Sequence, residues 1–318
     1  MTFRINQEKA IQASIKNDFK SGVHFHATGT GKSWIGLQMI IEYNKRYPNN
    51  NIIWLCEQKS ILVEQFDTKC IKDRGFSSIL KVFHILNYTQ RKQQDWYNSI
   101  NVSKFWNKPV LIIINRAFLT SSDKYKKIQL PIHLIVHDEC HSIQNKTTQQ
   151  FYNYMLSRYQ KDNISCIGFS ATPNLNIVPF KNILSKYSIY DAYCDKVIVP
   201  PKIKWFQTNQ PLEQLDILLL VKKLIVDVPY KKIILWCGMI QKCIELANLW
   251  KQYFPNFMIC VDTSQGNSDF KTYQDFEKLE SNGLLFCAGK HREGSDIKNL
   301  DTCVFLDKVE ERNSKKFV

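Results

Sequence analysis

The run His24-Phe25-His26-Ala27-Thr28-Gly29-Thr30-Gly31-Lys32-Ser33 holds two glycines, a lysine and a hydroxyl in the order that a phosphate cradle needs. Gly29 and Gly31 lack a Cβ, so the backbone can turn there and aim successive N–H groups at phosphate oxygens. Lys32 sets a full positive charge against the β- and γ-phosphates, and the Ser33 hydroxyl can ligate Mg²⁺ from the first turn of a following helix. His26 stands where the pattern G-x-x-x-x-G-K-[S/T] has its first glycine, so an ordinary glycine turn before Lys-Ser is the competing reading. Ile135-Val136-His137-Asp138-Glu139-Cys140-His141 supplies what a phosphate loop lacks. Asp138 can hold the metal through an aquo ligand, and Glu139 can polarise an attacking water. His137 and His141 also stand four apart around a glutamate, as in zinc-protease helices. In that motif, however, the glutamate directly follows the first histidine on a helix, and here Asp138 takes its place at the end of a strand. Gly168-Phe169-Ser170-Ala171-Thr172-Pro173 closes another apolar strand, with hydroxyls on Ser170 and Thr172 that can sense the metal-binding loop.

These groups need a sheet to hold them. Val23 to Phe25, Ile52 to Cys56, Ser78 to Leu86, Val110 to Ile114, His133 to Val136 and Ile164 to Gly168 read as strands, most of them apolar throughout. Such runs, separated by helical periods, belong to a parallel sheet covered on both faces. Arg4 to Phe19 reads as an amphipathic helix with Ile5, Ala10, Ile11 and Ile15 on its apolar side. Trp34 to Ile41 and Glu57 to Lys72 read as further helices. Asn87 to Lys108 shows no period; its Trp96, Tyr97, Phe105 and Trp106 suit either base stacking or a core. The Pro200-Pro201 pair marks a boundary, after which helices and strands alternate again: Leu212–Val228, Lys232–Cys237, Met239–Tyr253, Phe257–Val261, Asp269–Glu280, Leu284–Ala288 and Thr302–Leu306.

The chain has 318 residues, enough for two cores, and is 44% hydrophobic. A net charge of +14 suits a polyanionic partner, although a basic solvated surface gives the same count. Ten scattered cysteines without a Cys-x-x-Cys pair argue against a zinc ribbon or a disulfide scaffold and for free thiols in a reducing, intracellular setting. Neither a secretory leader nor an apolar run of membrane-spanning length is expected.

Gln7, Ala27 to Ser33, Asp138-Glu139-Cys140-His141 and Ser170-Ala171-Thr172, in that order, resemble the Q motif and motifs I, II and III of superfamily II helicases, in the branch related to type III restriction and transcription-repair helicases. Cys56 to Gln65 and Ile114-Asn115-Arg116 are similar to motifs Ia and Ib. Ile233 to Gly238 and Gly289 to Ile297 are similar to motifs IV and V. The resemblance implies an α/β fold of two tandem RecA-like P-loop lobes, each a mostly parallel sheet with helices on both faces. Lobe one would span 1–198, a linker 199–211 and lobe two 212–318. It implies an ATP- and Mg²⁺-dependent helicase or translocase on DNA or RNA. Gln7, Thr28, Gly29, Thr30, Gly31, Lys32, Ser33 and Asp296 would bind nucleotide, with Lys32, Asp138 and Glu139 catalytic and Ser33 and Asp138 on the metal. Ser170 and Thr172 would couple the lobes, and Asn115, Arg116, Arg292, Glu293 and Gly294 would touch nucleic acid. The resemblance places the family's arginine-bearing motif VI just beyond Val318, with a partner chain that supplies it among the expected partners. The alternatives are a binding module with little turnover and the motor subunit of a restriction-type nuclease.

Overall fold

The apolar runs of the first half assemble into one seven-stranded parallel sheet. The computed structural model describes residues 3–57, 71, 75–88, 108–160, 163–199, 202–203, 214–225, 231–266, 269–288 and 297–306. The chain divides into two compact units, Met1–Lys202 and Ile203–Val318.

In the first unit the strands are β1 (Gly22–His26), β2 (Ile52–Cys56), β3 (His84–Tyr88), β4 (Val110–Asn115), β5 (Leu134–Asp138), β6 (Ser165–Ser170) and β7 (Ile183–Tyr187), in the spatial order β3-β4-β2-β5-β6-β1-β7. Every residue of β2 and β4 is buried, as expected of central strands covered on both faces. One face packs on helices α1 (Ile5–Lys16) and α2 (Lys32–Arg46), where Ala10, Ile35, Leu37 and Ile40 meet Ile52, Trp54, Val136 and Phe169. The other face packs on α4 (Arg116–Thr120) and α5 (Lys146–Arg158), where Phe118, Phe151, Tyr152 and Met155 meet Ile53, Leu55 and Ile135. Parallel registers, Phe25 opposite Ser170 and Asp138 opposite Phe169, bring the carboxyl ends of β1, β5 and β6 to one edge, where ligands of open α/β sheets bind.

Two expectations need correction. Ser78 to Leu86 is not one strand: Ser78–Val82 forms a short helix, α3, and the strand begins only at His84. The reason is visible in the spacing of Phe76, Ile79 and Phe83, three and four residues apart and all buried in one cluster, which is a helical period. Ile5 lies exposed rather than in the core, because the first turn of α1 buries Asn6 and Gln7 instead. Most of the expected helix from Glu57 to Lys72, the rest of motif Ia and the aromatic stretch at 96–106 lie outside the described residues. Edge strand β7 and its following helix α6 (Ile189–Cys194) were not anticipated; at an edge the sequence mixes exposed and buried positions and loses its apolar signature.

Close packing gives a direct test. A Cβ placed on Gly36 of α2 would lie 2.5 Å from the fully buried Trp54 ring. Gly36→Ala is expected to lower unfolding stability by about 1–3 kcal/mol through overpacking, measured by chemical denaturation; an unchanged midpoint would contradict this packing.

The second unit holds α7 (Gln214–Ile225), β8 (Lys232–Trp236), α8 (Ile240–Tyr253), β9 (Met258–Asp262), α9 (Tyr273–Lys278), β10 (Gly283–Cys287) and β11 (Thr302–Phe305), with its four parallel strands ordered β11-β8-β10-β9. Trp250 and Leu246 cover one face and Phe276 the other. Lys232 is wholly buried at the start of β8, its three ammonium protons going to the carbonyls of Glu277, Leu279 and Lys298 at 2.8–3.1 Å. No described helix is long and apolar enough to cross a membrane.

Candidate nucleotide site

The loop between β1 and α2 takes the backbone its glycines permit. Gly29 and Gly31 have φ of 80° and 85°, in the left-handed region that a Cβ disfavours. Thr30 Oγ1 donates to Ala27 O at 2.7 Å and closes the turn. Among the described residues no side chain caps the N-terminus of α2, so its dipole and first N–H groups suit an anion. Thr28 and Gly29 are exposed, whereas Lys32 is 8% exposed. Gln7 braces this loop from α1: its Oε1 accepts from Arg4 N at 3.0 Å and its Nε2 donates to Thr30 O at 3.2 Å. Gln7 is 4% exposed, so this bracing holds it inside the unit beside the loop.

Beneath the loop, His26 fills the place of the pattern's first glycine and is tied into a chain of polar groups. Ser14 Oγ meets His24 Nε2 at 2.9 Å, and Ser185 Oγ lies 2.7 Å from both His24 Nδ1 and His26 Nε2. Burial pushes His24 down to about 3, with the neighbouring His26 adding to it; burial and the Lys32 charge push His26 to about 4. Both rings are neutral at physiological pH.

The acids arrive at the end of β5. Glu139 adopts a left-handed conformation, φ 55° and ψ 50°, costly for a residue with a side chain. In that pose Glu139 Oε1 lies 3.3 Å from Lys32 Nζ, and Glu139 Oε2 lies 3.3 Å from His141 Nδ1. His141 Nδ1 is also 3.3 Å from Ser170 Oγ, which accepts from Thr172 N at 3.0 Å. One histidine therefore joins the acid loop to the end of β6. Burial first, and the Glu139 charge second, raise Asp138 to about 7. Burial would raise Glu139 as well, but the His141 hydrogen bond and the Lys32 charge outweigh it and hold that carboxyl below its usual range.

A hard divalent cation fits this donor set. Mg²⁺ takes oxygen ligands, and two adjacent carboxylates that together resist full ionisation gain most from a cation. Asp138, with the Ser33 hydroxyl at the start of α2, would hold it. Zinc does not fit: both nitrogens of His137 are engaged inside the protein, by Tyr152 OH at 2.9 Å and Ser142 Oγ at 3.1 Å.

Asn115 and Arg116, expected to touch nucleic acid, are buried in the first unit. Asn115 is fully buried, caps α4 by accepting from Phe118 N, and donates to Glu57 O at 2.7 Å. Arg116, 5% exposed, pairs with Glu57 at 2.9 Å and donates to Thr148 Oγ1 at 3.1 Å. Both side chains donate to partners within the first unit. Arg292, Glu293, Gly294 and Asp296 lie outside the described residues.

Residues 1–175, more than half of the chain, match the family described as type III restriction enzyme, res subunit. The chain belongs to this family. No curated protein matches it. Among solved structures, a fragment of an HsdR subunit, described as putative, of a type I restriction enzyme from Vibrio vulnificus YJ016 superposes with a TM-score of 0.64 at 16% identity, covering 98% of this chain and 59% of that one. The ATP-dependent Type ISP restriction-modification enzyme LlaBIII bound to DNA gives 0.62 at 13%, covering 96% and 26%. S. cerevisiae Dbp5 bound to RNA and ADP BeF3 gives 0.58 at 15%, covering 96% and 75%. This member of the res-subunit family thus spans about a quarter of the restriction-modification enzyme. Its two parallel sheets with helices on both faces have the fold of the RecA-like lobes of superfamily II helicases.

Proposed function

We propose that the chain binds ATP with Mg²⁺ and hydrolyses it as the motor of a nucleic-acid translocase or helicase. The observation that carries this is the meeting of Lys32 and Glu139 at 3.3 Å across the mouth of a glycine-turned loop. It joins a phosphate-binding cation to the group that would activate water. Gln7 and the loop from Thr28 to Ser33 would hold the nucleotide, with Asp296 assigned to its ribose by the resemblance. Mg²⁺ would supply charge neutralisation at the β- and γ-phosphates. Glu139 would then take a proton from the attacking water, and His141 would report the state of the site to Ser170 and Thr172. In the resting pose Lys32 is held by Glu139, so an arriving phosphate must draw the lysine away and free the carboxylate for its water. Arg292, Glu293 and Gly294 are proposed on the nucleic-acid backbone.

The family match and the restriction-enzyme neighbours favour one particular form of this reading, the motor portion of a restriction-type nuclease running on DNA. Phosphate release from ATP, measured with single-stranded DNA, duplex DNA or RNA at two salt concentrations, tests both readings; stimulation by RNA alone would remove the nuclease form. Lys32→Ala is expected to weaken ATP binding by roughly 10- to 100-fold, the worth of a charge-assisted hydrogen bond of about 1.5–3 kcal/mol. Equal nucleotide affinity in wild type and variant would refute the site.

A further inference from the structure

Behind the acid pair, on the face of the sheet turned away from α1 and α2, lies a second polar constellation. His137, the residue before Asp138, is fully buried with both nitrogens engaged. Tyr152 OH lies 2.9 Å from its Nδ1 and Ser142 Oγ 3.1 Å from its Nε2. The network assigns the tautomer. The buried Tyr152 hydroxyl proton needs an acceptor, and Nδ1 is the one it meets among the described residues, so Tyr152 donates. The ring proton then sits on Nε2 and donates to Ser142. Ser142 N donates in turn to Glu139 O at 3.2 Å. His137 and Ser142 therefore clamp the two ends of the turn that keeps Glu139 left-handed. The other end of the chain is anchored as well. Tyr152 lies one turn beyond Thr148 on α5, on the same helical face, and Thr148 accepts from the Arg116 guanidinium that Glu57 holds.

We propose that Tyr152 is a positioning residue for the acid pair: through the fixed His137 tautomer and Ser142 it sets the turn that presents Asp138 and Glu139 to Mg²⁺-nucleotide. This rests on the nucleotide reading given above. Groups hydrogen-bonded directly to a metal ligand typically change metal affinity by roughly 10- to 100-fold when removed, and Tyr152, which acts on the ligand's turn through two links, is set at the low end of that range. A buried hydroxyl placed for packing alone would lower stability and leave the metal response intact.

The test uses the full chain and a fluorescent ADP analogue, titrated once with excess EDTA and once across a Mg²⁺ series, on wild type, Tyr152→Phe, Ser142→Ala and Tyr159→Phe. Tyr159 is the control, since its hydroxyl donates to Leu130 O at 2.9 Å at the far end of the same helix. Expected is a Mg²⁺ midpoint about tenfold higher in Tyr152→Phe and in Ser142→Ala, with affinity in EDTA unchanged and the Tyr159→Phe midpoint equal to wild type. Should Tyr152→Phe fail to fold, Ser142→Ala cuts the same chain at its other link. Unchanged Mg²⁺ midpoints in both variants, or an equal shift in Tyr159→Phe, would overturn the proposal. A wild type that binds the analogue but ignores Mg²⁺ overturns it too while leaving the phosphate loop standing. Failure of wild type to bind the analogue in either arm would instead remove the nucleotide reading on which it rests.

Discussion

Under the proposed function, Glu139→Gln is expected to bind ATP with Mg²⁺ like wild type but to turn it over about 10²- to 10⁴-fold more slowly, the usual worth of a positioned general base. The amide keeps the size and a carbonyl oxygen, so the left-handed turn and the approach to Lys32 survive. It cannot take a proton from water. Affinity should hold or rise slightly, because the neutral amide releases Lys32 from the 3.3 Å ion pair that ties it in the resting pose. It also relieves Asp138 of the second-largest influence that raises its pKa, the neighbouring negative charge, so the carboxylate proposed to hold Mg²⁺ ionises more readily. Single-turnover hydrolysis alongside equilibrium binding of a fluorescent nucleotide separates the two effects. A variant that loses binding and turnover in parallel would make Glu139 a structural partner of Lys32 rather than the base.

The contrast between what could and could not be read from the sequence follows physical lines. Gly29, Gly31, Lys32, Asp138 and Glu139 were legible because each meets a local requirement: a left-handed backbone, a helix N-terminus, a strand end. Strands β2, β4, β5 and β6 were legible because burial on both faces leaves no polar positions. What was not legible depends on contacts between distant residues. Asn115 and Arg116 look like a loop ready for phosphate until Glu57 and Thr148, 58 and 32 residues from their partners, close over them. His26 looks like a flaw in the phosphate-loop pattern until Ser185, 159 residues away, accounts for its ring. No local signal announces Tyr152, whose partner lies across the face of the sheet. His141 was read as the end of a motif and as half of a zinc-type pair that the spacing disfavours, yet its ring makes the physical link between Glu139 and Ser170.

The histidines hidden by that burial make the first unit acid-sensitive. His24 and His137 are fully buried with pKa values pushed to about 3, and His26, 1% exposed, to about 4. For His137 the cause is burial first, then the Arg116 charge. In the unfolded chain each titrates near the ordinary value of about 6.5. Above that pH neither state binds the proton and the rings cost nothing. Below it the unfolded chain takes up protons that the native state refuses, so stability falls by about 1.4 kcal/mol per pH unit for each ring until the native pKa is reached. Asp138 works in the opposite direction: raised to about 7, it takes a proton in the native state before the unfolded chain does and returns some stability over the same window. For these three rings with Asp138 counted in full or discounted for its partial exposure, the loss between pH 7 and pH 5 is roughly 3–6 kcal/mol, a large share of an ordinary domain's stability, and the lowered His84, His133 and Glu139 act in the same direction. Amide hydrogen exchange of β1 and β5 at the two pH values, corrected for intrinsic rates, reads this unit by itself, since core strands exchange through its global opening. Protection factors in those strands that stay level from pH 7 to pH 5 would mean that the rings protonate without unfolding the sheet around them, and the buried Ser14–His24–Ser185–His26 chain would then have to tolerate a charge.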